Sequence, residues 1–219
     1  MALPATHIRF ALAVADRLRI ADPGAYLSGT LYPDSRWVTG IDRKLTHSPQ
    51  CVDPGFATDD FSLGWHVHCR CDRIQGEIHD DLLEGLSELT PAQRWIRVSA
   101  AKVVQDMNDA KQGDIGAHLA VLNHARTPCG ESPDKVAAYF GFVQRAYRSS
   151  TPPAWRDYVR LWTNVGLDRL RIERIERQVE KIMRDSRLVG AIHVAFDRMV
   201  RQWSDRSSIQ GRDHSTGIR

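Results

Sequence analysis

Imidazole and carboxylate side chains crowd the first third of the chain. Five of the nine histidines, His7, His47, His66, His68 and His79, fall within its first 79 residues, among Asp34, Asp42, Asp53, Asp59, Asp60 and Asp72. The tightest arrangement is His68-Cys-Arg-Cys-Asp72. Residues four apart share a helix face, so this imidazole and this carboxylate can converge on one point. Phe61, Gly64 and Trp65 lie one and two turns earlier on the same side, which suits a helix facing the interior. A buried Asp72 without a partner would be costly. A divalent cation beside His68 is one suitable partner, and a plain His–Asp hydrogen bond is the other.

Three further residues widen the pattern. His7 stands in PATHIRFA, Asp34 in LSGTLYPDSR, where Gly29 and Pro33 can hold a carboxylate in fixed geometry, and His47 in KLTHSP. Taken singly, His7 reads as a capping residue, Asp34 as the former of an Asx turn, and His47 as a surface loop histidine.

Together they resemble the zinc-dependent phospholipase C fold family, especially its short bacterial members described as metal-dependent hydrolases. The motifs that carry the resemblance are T-H-x-x-x-A (Thr6, His7, Ala11), then L-x-G-x-x-x-P-D (Leu27, Gly29, Pro33, Asp34). A lone His47 follows, and then L-G-W-x-V-H-x-x-x-D (Leu63, Gly64, Trp65, Val67, His68, Asp72). They span roughly residues 4–75. The resemblance implies that Asp34, His47, His68 and Asp72 surround one metal, that His7 serves a neighbouring one, and that Asp72 is free to bridge. It further implies an all-α, phospholipase C/nuclease-like fold and a metal-dependent phosphoester hydrolase that activates water on a His/Asp-bound divalent ion. Zinc suits imidazole and carboxylate ligands, with iron or manganese as alternatives. Asp34 and Asp72 are the carboxylates expected to orient that water. The family's further metal site uses a later H-x-x-x-E, which this sequence lacks, so one or two ions are expected. His79, His118 and the second HxxxD, His193–Asp197, are the remaining residues that could complete a second site. Arg36, Arg43 and Arg70, near the ligands in sequence, are candidates to bind phosphate.

Two other readings compete. An HD-type nucleotide phosphohydrolase would use His47, the adjacent His79-Asp80 and a downstream Asp, leaving His7, Asp34 and His68 unexplained. A non-catalytic helical protein stabilised by a metal would keep the scaffold alone.

The elements that must position these residues are helical, since no strand-like alternation persists beyond a few residues. The pattern predicts a helix from Pro4 to about Leu18, then a long structured loop with short helical turns from Tyr26 to Gly55. A helix capped by Thr58 or Asp59 follows, with another from Pro91 to about Lys111. Later helices are expected at Ile115–Ala125, Asp134–Tyr147, Trp155–Trp162, Leu167–Arg184 and Leu188–Trp203. The expectation is a single all-α domain of seven or eight helices over residues 1–203, with a polar, disordered tail over 204–219. With 42% hydrophobic residues and no long apolar run, the composition excludes a disordered chain and a membrane span. Thirty basic and 27 acidic residues leave a formal charge of +3, weak grounds for a polyanionic partner. No stable nucleic-acid complex is expected, because the Arg-rich segment 169–187 interleaves with acids over an apolar stripe. Four cysteines without a CxxC pair, and no secretory leader, point to a reduced, cytoplasmic protein, and the resemblance implies a small phosphoester as its substrate.

Overall fold

Pro4 starts α1 (Pro4–Ala15), since a proline in the first turn gives up only an N–H that would lack a helical partner anyway. Asp22 caps α2 (Pro23–Leu31) by accepting from the Ala25 amide. A 3-10 turn over Tyr32–Ser35 leads into two four-residue helices, α3 (Arg36–Thr39) and α4 (Arg43–Thr46). Asp59 and Ser62 form a reciprocal capping box at the start of α5 (Asp60–Leu82), and Thr90 and Gln93 do the same for α6 (Pro91–Lys111). There follow α7 (Ile115–Leu119), α8 (Pro133–Arg148), α9 (Trp155–Asn164), α10 (Arg169–Met183), α11 (Ser186–His193) and α12 (Ala195–Gln210).

This computed structural model describes residues 3–122, 124–148 and 152–210. All regular structure among them is helical and forms one compact domain. Ten of the helices have five or more residues, close to the seven or eight expected. Among the described residues no helix is long and apolar enough to cross a membrane, and all four cysteines are free thiols.

Three expectations need correction. The segment expected to be a loop from Tyr26 to Gly55 begins inside α2, whose Tyr26, Leu27 and Leu31 are core residues. The helix expected over Leu188–Trp203 is divided near Val194 into α11 and α12, and α12 runs on to Gln210 rather than ending at Trp203. Of the tail expected over 204–219, residues 211–219 lie outside the described residues, as do Met1 and Ala2. The helix expected over Ile115–Ala125 stops at Leu119.

The crossing of α2 and α5 organises the domain. A Cβ on Gly29 would lie 1.9 Å from the Phe61 carbonyl oxygen, and one on Gly64 would lie 1.9 Å from that of Tyr26. The two helices therefore meet backbone to backbone through reciprocal glycines, a spacing that no other residue permits. This contact sets Thr30, at the end of α2, and Asp34, in the 3-10 turn that follows, against the middle of α5. Around the pair, α1, α6 and α12 bury Ile8, Phe10, Val14, Val103, Val104 and Met199. Helices α8 to α10 close the far side with Tyr139, Val143, Trp162, Ile175 and Ile182.

Candidate metal centre

Five side chains from four segments meet beside the α2–α5 crossing. His68 and Asp72 project from α5 one turn apart. His7 comes from the first turns of α1, Asp34 from the 3-10 turn after α2, and His47 from the residue that ends α4. His7 Nε2 lies 3.6 Å from Asp72 Oδ1, while His47 and His68 Nε2 lie 3.5 and 3.9 Å from Asp72 Oδ2. His47 and His68 present their Nε2 atoms to each other at 3.2 Å. Two overlapping groups, His7–His68–Asp72 and Asp34–His47–His68, each have ligand atoms within 4.8 Å of one another. These are His/Asp groups close enough to hold a metal ion.

The orientation of the rings follows from their backbone partners. His68 Nδ1 is 2.8 Å from the Thr30 carbonyl, and His7 Nδ1 is 3.2 Å from that of Leu3. A carbonyl only accepts, so each ring carries its proton on Nδ1 and directs the Nε2 lone pair into the cluster. The two rings stack, with centroids 4.1 Å apart. Burial, with the neighbouring His7 imidazole, pushes the His68 pKa well below the usual histidine value, so its ring stays neutral.

One group in the cluster lacks an ordinary partner. His7 Nε2 is buried and makes no hydrogen bond, which is costly unless something in the cluster compensates it. The Asp34 carboxylate is 3% exposed, and although burial opposes its charge its pKa lies below the usual carboxylate range.

Lys102 belongs to none of the motifs, yet it joins the cluster. From α6 its Nζ reaches Asp72 Oδ1 at 2.8 Å. Burial opposes the charge on both partners, but their attraction is stronger, so the Asp72 pKa is held well below the carboxylate range and that of Lys102 is raised. Asp106 is a second such residue. Leu3 supplies no side-chain cap to α1, and instead Asp106 Oδ1 accepts the Thr6 amide at 2.9 Å from a hundred residues away. Its Oδ2 takes the hydroxyls of Tyr147 and Tyr158 at 2.5 and 2.8 Å, while Asp109 takes Thr6 Oγ1 at 2.8 Å and Arg9 at 2.6 Å. This network fixes the turn that carries His7. One signal was available, because Lys102, Asp106 and Asp109 recur at i, i+4 and i+7 beside the apolar Val103, Val104 and Ala110.

The other candidates lie elsewhere. His79 is buried with Nε2 at 2.7 Å from Gln105 Oε1, and Asp80 pairs with Arg94 at 2.7 Å. Neither joins a cation-sized group with His47 among the described residues. His118 is half-buried on α7, and His193 and Asp197 are both exposed. Arg70 turns away from the cluster to lie against Trp203, 5.1 Å from its ring. Arg36 and Arg43 do line the adjacent cleft of about 450 Å³, with Asp34, His47, Asp72, Arg94, Trp95 and Lys102.

Comparison with protein-family models, with curated proteins and with solved structures finds no match to this chain.

Proposed function

We propose that the cluster holds one divalent cation and that the protein is a metal-dependent phosphoester hydrolase. The observation that carries this reading is the pair of buried Nε2 lone pairs on His7 and His68, aimed at carboxylates and fixed by backbone carbonyls. Metal-binding imidazoles are commonly oriented in this way through their other nitrogen. The spacings fit as well. Ligands about 2.0–2.1 Å from a tetrahedral ion stand roughly 3.3 Å from one another, and the separations here run from 3.2 to 3.9 Å. His68 has a single free lone pair, so its two overlapping groups are alternative descriptions of one ion's surroundings. The nitrogen-rich donor set favours zinc over iron or manganese.

A bound divalent ion lowers the pKa of water and polarises a phosphoryl oxygen. The protein's own residues account for the rest. Arg36, Arg43, Arg94 and Lys102 line the cleft and oppose the charge of a phosphate ester held against the cluster. Lys102 engages one Asp72 oxygen and leaves the other facing His47 and His68. Asp34, which lines the same cleft, is the carboxylate that would orient a water molecule and accept its proton.

A second reading has an observation of its own. Lys102 already gives Asp72 a cation at 2.8 Å, so the cluster could serve as a buried polar support without catalysis. Elemental analysis of protein purified without a metal-affinity tag, followed by a panel of nucleotides, cyclic nucleotides, aryl phosphates and phospholipids with and without chelator, separates the two. The hydrolase reading expects about one zinc per chain and chelator-sensitive turnover. His68→Ala should abolish both. A folded protein that carries no metal, or turnover that survives chelation and His68→Ala, would reject it.

A further inference from the structure

A second cationic cavity lies on the other side of α6 and owes nothing to the His/Asp cluster. It is a groove of about 490 Å³ between α6 and α10, flanked by Arg97, Arg174, Arg177 and Lys181 with the amides Gln93 and Gln178. Arg174, Arg177, Gln178 and Lys181 fall at i, i+3, i+4 and i+7, one continuous stripe of α10. Leu89 and Ile96 supply an apolar floor.

The distribution of acids makes this stripe unusual. Elsewhere α10 neutralises its arginines: Arg169 pairs with Glu173, Arg171 with Asp168 and Arg184 with Glu180. Over the groove, Arg97, Arg174, Arg177 and Lys181 have no carboxylate partner among the described residues, and no acid lines the cavity. Like charges one turn apart repel, so this face is left with a deficit that a bound anion would relieve. Guanidinium forks match phosphate oxygens in a bidentate way. The stripe spans seven residues, roughly 10 Å of helix, which is enough for two or three phosphates but not for a polymer track. The volume lies in the range of small-molecule sites.

We propose that the α6–α10 groove binds a compact small molecule carrying two or more phosphates, at a site separate from the His/Asp cluster. The test uses the full chain and inorganic pyrophosphate, titrated calorimetrically in chelator so that no divalent ion contributes. The expected result is saturable binding of one pyrophosphate. The double variant Arg174→Ala/Arg177→Ala should weaken it at least tenfold, and Arg169→Ala, whose side chain is paired outside the groove, should leave it unchanged. Arg174 and Arg177 are exposed, so thermal melts should show the double variant to be folded. Three results would overturn the assignment: no heat beyond that of chloride at equal ionic strength, undiminished affinity in the folded double variant, or tighter binding of a twelve-nucleotide single strand than of pyrophosphate through the same arginines.

Discussion

Where α2 crosses α5 the chain meets itself through backbone atoms, and where α10 crosses α6 it meets itself through side chains. Gly29 and Gly64 bring the first pair so close that a methyl group on either would overlap a carbonyl oxygen. The second pair is held by the ordinary apolar stripe of Ile172, Ile175, Val179 and Ile182, with charged residues outside. The first crossing carries ligand-type residues, and the second carries a groove rimmed by exposed cations. Geometry is rigid where several side chains must reach one point, and permissive where the surface need only offer charge.

The largest effect should come from breaking the tight crossing. Gly64→Ala puts a Cβ into the Tyr26 carbonyl, a clash that overpacking data place at about 3 kcal/mol or more. Gly190→Ala in α11, where a Cβ meets nothing within 4 Å, should instead stabilise by up to ~1 kcal/mol. Chemical denaturation of both variants measures the contrast.

A pH effect comes next. His79 is fully buried, its Nε2 faces Gln105 and its Nδ1 has no partner, so burial and the nearby Lys102 charge lower its pKa to about 4. The native state thus disfavours the proton that the unfolded chain accepts near pH 6.5. Stability from this residue is complete above that value and is lost as pH falls toward 4, about 3 kcal/mol in all. Asp109, whose pKa burial raises to about 6, acts in the opposite direction. The informative quantity is therefore wild type minus His79→Met, which should decline across that interval. A flat difference would show that His79 titrates normally.

Smaller still is the effect of Lys102→Gln. Losing the ammonium beside Asp72 should raise zinc affinity about tenfold, or ~1.4 kcal/mol, in competition with a chelating indicator. Unchanged affinity would mean that the lysine does not oppose a cation there. Arg169→Ala sets the lower bound. The Arg169 side chain is 92% exposed, and loss of its pair with Glu173 should cost under about 0.5 kcal/mol by thermal melting.

How much of this was legible in the sequence depended on whether the signal was local. The capping residues Asp59 and Thr90, and Pro91 in the first turn, marked α5 and α6 because a cap acts within three residues of itself. Gly29, Ser28 and Thr30 made α2 look like a loop, although there the glycine serves close packing rather than a turn. The division at Val194 carries no proline to announce it. The five candidate ligands were found from motif order, and they do come together. Lys102 and Asp106 were not found, because their partners, Asp72 and Thr6, lie 30 and 100 residues away. Only their recurrence along one face of α6 hinted that this face was buried.

The glycine contact also says how such a centre could be retuned. A junction made of main-chain atoms has no rotamers to repack, so substitutions in the surrounding core can accumulate while the separation of α2 from α5 stays fixed. Asp34 follows one helix and His68 with Asp72 rides the other, so the aperture between them is a property of that separation. Exchanging one of these side chains for another would leave that aperture unchanged. The more direct adjustment is the helix spacing itself, which two hydrogen atoms, one on each glycine Cα, currently hold at its minimum.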